Sequence, residues 1–287
     1  MEEGDDPIFV TFNSQIQIKR RHTGSLALDE LFGGGIPEGR VIQLFGPESG
    51  GKTSISLAIA GQLIKDGAYP IGFIDAENAI DPAMAKNTFG VDLFDEEKVI
   101  FSQQDDAEII YETLAAMADA GVPLVIVDST DAMLTEAEDE GGYADAHVGQ
   151  MARRHSQGLK KLKRRMRRSG MILILISQVR QKIEIGGGGP KSRGPNETTS
   201  GGNAIRFYAS IRARVSRIEY IPVQGAEPRG MLMQIKTHKN KTARPFRKVD
   251  ITYMYDRGIV SEADSIRVAA QYGVVGHNGS IYTIEGQ

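Results

Sequence analysis

From Val41 onward the chain alternates short apolar runs with longer stretches that carry apolar residues at helical spacing. Val41–Phe45, Ile71–Asp75, Leu124–Asp128 and Ile172–Ser177 are nearly continuous in aliphatic and β-branched residues, with small or acidic residues at most of their ends. A strand covered on both faces reads this way, because neither face has to meet water. Between the runs, Ile55, Ala58, Ile59 and Leu63 fall three and four residues apart, which puts them on one stripe of a helix. Strand and helix in alternation predict an α/β fold with a mostly parallel central sheet flanked by helices.

After Phe207 the period changes. The segments 210–218, 232–237 and 248–253 alternate polar and apolar residues with period two. Half-exposed antiparallel strands fit that pattern and would extend the same sheet. Two long connections stand out, Glu136–Val148, acidic and containing glycine, and Val179–Gly202, which includes the glycine-rich stretch Gly186–Pro195. Loops of that length inside one domain are functional or disordered. No repeat of solenoid length is present.

With 287 residues the chain is long enough for one large domain, or one domain with appendages. The absence of cysteine excludes disulfides, thiolate metal sites, iron–sulfur clusters and cysteine nucleophiles. Five scattered histidines argue against a histidine metal cage. No apolar run approaches the ~20 residues of a membrane span, and the acidic start is unlike a signal peptide. The expectation is a cytoplasmic globular protein with no membrane partner. A net charge of −3 changes nothing by itself; its distribution does.

Gly46-Pro-Glu-Ser-Gly-Gly-Lys52-Thr53 fits G-x-x-x-x-G-K-[ST] between a predicted strand and a predicted helix. Glycines let the loop curl so that its N–H groups point at a phosphate, and the helix N-terminus adds its positive end. Lys52 is then placed for the β/γ-phosphates and Thr53 for Mg2+. The plain alternative is a glycine-rich turn with a chance Lys-Thr. Asp128 ends the third apolar run, where it would sit beside the magnesium; strands also end in Asp simply to turn. Glu77 follows the second run and would face the same crevice, where a carboxylate can hold the attacking water. Its alternative is a surface acid in a first helical turn. Gln178 follows the fourth run, where an amide could sense the γ-phosphate or serve as an ordinary loop residue.

Nine basic residues lie between Arg153 and Arg168 with no acid among them. A solvated helix face is the plain reading. Against it, no glutamate stands at i±4 and the charges surround the helix, so a phosphate backbone would relieve their repulsion. Arg180, Lys182, Lys191 and Arg193 continue the excess into the glycine-rich loop.

In this order the residues resemble the bacterial RecA-type recombinases. The resemblance runs from about Thr23 to Ile281. It rests on Thr23-Gly-Ser-Leu-Ala-Leu-Asp29, Gly46-Pro-Glu-Ser49, Phe73-Ile-Asp-Ala-Glu-Asn-Ala-Ile-Asp-Pro82, Gly201-Gly-Asn-Ala-Ile-Arg-Phe-Tyr-Ala-Ser210 and Lys239-Asn-Lys241. It implies a DNA-dependent ATPase that uses ATP and Mg2+, assembles as a helical filament on single-stranded DNA, and pairs it with homologous double-stranded DNA. By the same resemblance residues 23–260 form the core, with DNA loops at 136–148 and 179–200, between an N-terminal segment (1–22) and a C-terminal remnant (261–287). Gly46, Pro47, Glu48, Ser49, Gly50, Gly51, Lys52, Thr53 and Ser54 would form the phosphate cradle, with Thr53 and Asp128 as metal ligands. Glu77 would be the catalytic carboxylate, coupled through Gln178 to the second loop. Lys239 and Lys241, with Phe207, would reach the neighbouring subunit's ATP. Asp81 and Met84 would lie beside the base, with Met84 replacing the family's tyrosine, and Tyr255 and Gly258 where the neighbour covers it. Arg153, Ser156, Lys160, Arg180, Gly201, Gly202 and Asn203 would meet DNA, and Ile183 would wedge between bases.

The chain also departs from that pattern. The family's long N-terminal helix has no counterpart before Thr23, where Ile8–Phe12 can serve as a strand added to a neighbour's sheet. By this resemblance the expectation is also that most of the family's C-terminal domain is absent from residues 261–287, that the second loop is longer and that the basic helix is richer. Two rival readings remain at this point. One is a ring-forming ATPase or regulator on the same core, without strand exchange. The other is a nucleic-acid binding module with a degenerate ATPase.

Overall fold

The computed structural model describes residues 18–135, 149–181, 197–199, 202–278 and 281–284. A short pair, β1 (Arg20–Arg21) and β2 (Ile36–Pro37), brackets the helix Leu26–Phe32. The main strands follow as β3 (Val41–Gly46), β4 (Ile71–Asp75), β5 (Val99–Ser102), β6 (Leu124–Asp128), β7 (Ile172–Gln181), β8 (Glu197–Thr199), β9 (Ile211–Val223), β10 (Ala226–Asn240), β11 (Lys248–Met254) and β12 (Gly258–Ile259). A terminal hairpin joins β13 (Val275–Asn278) to β14 (Ile281–Ile284).

The sheet runs β12-β11-β10-β9-β3-β7-β6-β4-β5, with β8 paired to the end of β7. From β5 to β9 all neighbours are parallel, and from β9 to β12 all are antiparallel. Alternate residues of one strand feed two cores. Ile172, Ile174 and Ile176 pack toward the helices Leu26–Phe32 and Lys52–Lys65, while Leu173 and Leu175 pack toward Ala107–Asp119 and Gln150–Ser169. Period-two alternation with both faces apolar is why these runs are almost wholly apolar; Gln43 of β3 is buried, with Ser177 and Arg212 as hydrogen-bond partners. The α/β architecture with an antiparallel extension is as the pattern predicts.

Two elements differ from the sequence reading. β5 is a four-residue edge strand whose Ile100 is exposed, too short and too mixed to register as an apolar run. β7 continues past Ser177 to Gln181, and Val179, Arg180 and Gln181 pair with Thr199, Thr198 and Glu197. Part of the second long connection is therefore an antiparallel stem. Val179, Thr198 and Thr199 are β-branched, so both arms favour extended backbone.

The parallel run gives the sheet two unlike edges. Gly46, Asp75 and Asp128 stand together at the carboxyl ends of β3, β4 and β6, with Gln178 level with Gly46 where the parallel pairing of β7 with β3 stops. At the amino ends, Ser210 N donates to Val41 O (2.8 Å) and Lys241 N to Ser210 O (2.9 Å), so the end of β10 joins that edge. Six residues of β3 separate the edges by roughly 16 Å.

Candidate active site

The loop between β3 and the helix Lys52–Lys65 holds its shape through left-handed backbone at Ser49 (φ 55°) and Gly51 (φ 93°). A Cβ on Gly51 would meet Met233 Sδ at 2.1 Å, so both space and conformation require glycine there. Gly51 also sits at the N-cap, without a side-chain cap, which leaves the first N–H groups of the helix available to an anion.

Lys52 is 7 % exposed, and its ammonium donates to Pro47 O (2.8 Å) and Gly46 O (3.3 Å). Burial lowers its pKa, while Asp128, Glu77, Asp131 and Glu48 act in the opposite direction. Thr53 Oγ1 donates to Asp128 Oδ2 at 2.5 Å. The Asp128 carboxyl is pushed up to about 6, chiefly by burial, with Glu77 and Asp75 adding repulsion. A carboxylate destabilised this way beside a hydroxyl is a fitting place for a divalent cation. Among the described residues no cluster of three or more acids or histidines forms a dedicated metal cage. Mg2+ suits such a site, because it keeps most of its shell as water and phosphate oxygens.

Glu77 lies next to this pair. Ala76 N and Glu77 N both donate to Asp128 O (2.7 and 3.2 Å), which locks the end of β4 to the end of β6. Glu77 Oε1 accepts from Ser129 Oγ and from Gln178 Nε2 (3.1 Å). Gln178 N in turn donates to Asp131 Oδ2 (2.7 Å). The carboxylate thus has its orientation fixed by donors from two strand ends. The Asp128–Ser129 peptide bond beside it is cis.

A cleft of about 540 Å³ opens over the loop. Ser49, Gly50, Gly51, Lys52, Thr53, Ser54, Glu77, Asp81, Met84, Asp128 and Tyr255 line it, as the sequence reading places them. Gly46, Pro47 and Glu48 lie at the root and outer turn of the loop rather than in the lining. Gly258 is displaced from the cleft and borders Thr88 and Phe89. Asp81 has a structural task as well: it caps the helix Pro82–Phe89 by accepting from Ala83 N (2.8 Å).

Several lining residues escaped the sequence reading. Asp75 is 2 % exposed, stands in register with Asp128, and accepts from Ala79 N and Ile80 N (3.3 and 3.2 Å). The rule that selected Asp128, an acid ending an apolar run, also selects Asp75. Ser129 and Asp131, which hold Glu77 and Gln178 from outside the cleft lining, carried no such signal. Arg217, Tyr220, Met231 and Tyr253 enter the cleft from the antiparallel strands, and Arg217 stacks on Tyr220 at 4.1 Å. Only the packing of β9–β11 against the loop brings them there.

Lys239, Lys241 and Phe207 form a separate group at the amino edge. Lys239 Nζ donates to Arg206 O (2.5 Å) and Phe207 O (3.1 Å), and Lys241 Nζ sits 5.8 Å from the Phe207 ring. Burial, then the charges of Lys241 and Arg212, bring Lys239 down to about 8. Phe207 is 71 % exposed. None of the three approaches this chain's own cleft.

Of the residues expected from the sequence to meet DNA, Arg153, Ser156 and Lys160 are exposed on the helix Gln150–Ser169. Gly202 and Asn203 open the helix Gly202–Tyr208, and Arg180 lies in β7. Ile183, Gly201, the loop 136–148 and Ile8–Phe12 lie outside the described residues. Among the described residues no helix is long and apolar enough to cross a membrane.

Comparison with known proteins agrees with this geometry. The RecA N-terminal domain family matches residues 4–260. Protein RecA of Macrococcus caseolyticus is 40 % identical over 92 % of this chain and 72 % of its own length. Protein RecA of Bacillus subtilis is 40 % identical over 92 % and 73 %, and that of a Nostoc species 37 % over 95 % and 73 %. With a phosphate loop, two in-register acids and a positioned glutamate on a matching core, the chain belongs to the RecA family.

Proposed function

We propose that the protein is an ATP-dependent recombinase that assembles as a homo-oligomer on single-stranded DNA and pairs it with double-stranded DNA. It is a DNA-dependent ATPase that works with ATP and Mg2+ in the cytoplasm. Residues 23–260 form its ATPase core.

Thr53 and Asp128 would hold the magnesium, which would supply charge neutralisation to the phosphates. Lys52 gives up its two loop carbonyls for phosphate oxygens, exchanging neutral acceptors for charged ones. Glu77 orients the attacking water and takes its proton, with Ser129 and Gln178 fixing the carboxylate. Lys239 and Lys241 stabilise the charge on the leaving phosphoryl group of a neighbouring copy, since roughly 16 Å of sheet separates them from their own cleft. Phe207, Tyr255 and Gly258 complete that contact, and Asp81 and Met84 flank the base.

The hydrogen bond between Gln178 and Glu77 (3.1 Å) carries this reading. Gln178 belongs to the strand that continues into the paired stem of the second loop. DNA held there by Arg180, Ile183, Gly201, Gly202 and Asn203, together with Arg153, Ser156 and Lys160, pulls on the group that positions the catalytic carboxylate. Phosphate contacts make the binding indifferent to sequence.

The test is ATP turnover with and without poly(dT), across a dilution series. Strong stimulation that fades on dilution is expected. Equal turnover without DNA at every dilution would overturn the reading, in favour of a self-contained ATPase.

A further inference from the structure

We infer that the carboxyl-terminal half of the helix Gln150–Ser169 is a docking strip for the phosphate backbone of double-stranded DNA, distinct from the two loops. Lys161, Arg164, Arg165 and Arg168 succeed one another at three, one and three residues, so they share one helical face. They line a cleft of about 730 Å³ against Asp119 and Gly121. Arg168 also borders a second cleft, of about 340 Å³, with Lys19, Arg40 and Arg167. Two carboxylates meet this belt, and both are engaged: Asp119 with Arg165, and Glu38 with Arg21. Lys161, Arg164 and Arg168 have no ion pair among the described residues.

The strip lies at the opposite end of the helix from its N-cap Gly149, which follows residues 136–148 in the chain. Gly39 N donates to Gly170 O (2.8 Å) and Leu173 N to Arg40 O (3.1 Å), which ties this end of the helix to the amino edge of the sheet. Along the helix axis Arg153 lies roughly 12 Å from Lys161 and roughly 22 Å from Arg168.

Helix stability does not explain the charges. The macrodipole favours cations in the last turn, which covers Arg167 and Arg168 but not Lys161 or Arg164. Like charges at Lys160/Arg164, Lys161/Arg165, Lys163/Arg167 and Arg164/Arg168 repel, each pair weakening the helix by a few tenths of a kcal/mol. A polyanion removes that repulsion.

The lining also selects the kind of polyanion. Single strands are gripped by stacking bases on aromatic rings, and protein partners by buried aromatic anchors. Neither cleft is lined by an aromatic residue. Duplex phosphates, contacted without reading bases, need only the exposed cations that are present.

The inference rests on the chain being a DNA-dependent ATPase, and the test separates the two. The full chain and its triple variant Lys161→Gln, Arg164→Gln, Arg168→Gln are titrated with a mixed-sequence duplex over a salt series. The three residues are exposed, and an unchanged melting temperature verifies folding. Duplex affinity at moderate salt should fall at least tenfold, and the log–log salt slope should become shallower by about 0.9 per lost contact. Turnover stimulated by poly(dT) should stay within about twofold of wild type, because the loops are untouched. Unchanged duplex affinity and slope would overturn the inference. So would equal losses for duplex and poly(dT), or competition by polyglutamate or anionic vesicles at the same charge concentration. A wild-type chain that poly(dT) does not stimulate would instead sink the proposed function, while the duplex titration still judges the strip.

Discussion

At the carboxyl edge of the parallel strands, Glu48, Glu77, Asp128 and Asp131 act on one lysine, with Asp75 beside Asp128; at the amino edge, Lys239, Lys241, Arg206 and Arg212 crowd one another. Both clusters pay an electrostatic cost within this chain. Burial raises Asp128 to about 6 at one edge and lowers Lys239 to about 8 and Arg212 to about 10 at the other. The edges are complementary in charge but too far apart to meet within one molecule. On the proposed reading, a second copy placed head to tail would bring one against the other. Such a contact is heterologous, so it propagates as a helix or closes as a ring. The division of charge between the edges is thus a physical reason for the protein to hydrolyse ATP as an assembly.

The sharpest way to break this contrast is at its centre. Lys52→Ala leaves the phosphates without their buried cation, and turnover should drop by about three orders of magnitude. Retained turnover in a phosphate-release assay would refute the nucleotide assignment. Glu77→Gln keeps the shape and the Ser129 contact but removes the base. ATP binding should persist while turnover slows by about 10² to 10³; a wild-type rate would show that another group positions the water.

Lys241→Ala probes the opposite edge. DNA-stimulated turnover should fall by about 10², with nucleotide affinity of isolated subunits unchanged. Mixing Lys241→Ala with Glu77→Gln subunits should restore activity, because some seams then pair an intact cleft with an intact lysine. No recovery at any ratio would mean that the two edges do not meet.

A smaller effect concerns the helix that spans both edges. His155 is fully buried with its Nδ1 2.8 Å from Tyr111 Oη, and burial lowers its pKa to about 4. The unfolded chain binds a proton near 6.5 that the folded chain refuses, so stability is full above that pH and is lost as the pH falls toward 4. At pH 5 the loss should be about 2 kcal/mol relative to neutral pH. Denaturant melts of wild type and His155→Gln should converge as the pH falls. A constant difference between them would show that His155 is not the titrating group.

Much of this was legible in the sequence, for reasons that can be named. Strands covered on both faces are nearly continuous apolar runs, so β3 (despite its buried, hydrogen-bonded Gln43), β4, β6 and β7 announced themselves, and parallel strands place their ends at one edge. That is why Lys52, Thr53, Glu77, Asp128 and Gln178 could be gathered without coordinates. β5 stayed hidden because an edge strand is half exposed. The stem of the second loop stayed hidden because its two arms are separated by glycine-rich sequence. Arg217, Tyr220 and Tyr253 reach the cleft from strands remote in the chain, and nothing local marks such an approach.

By itself the sequence determined the local rules: which segments extend, which coil, where the loop curls, and which residue types the phosphates require. The tertiary structure alone decided which of those groups share an edge. It set Glu77 between Ser129 and Gln178, moved Gly258 out of the cleft, and put Lys239 and Lys241 across the sheet from Lys52. Backbone preference acts over a few residues, whereas strand order and register set distances between residues far apart in the chain, and those distances are what place Lys239 and Lys241 beyond reach of this chain's own cleft.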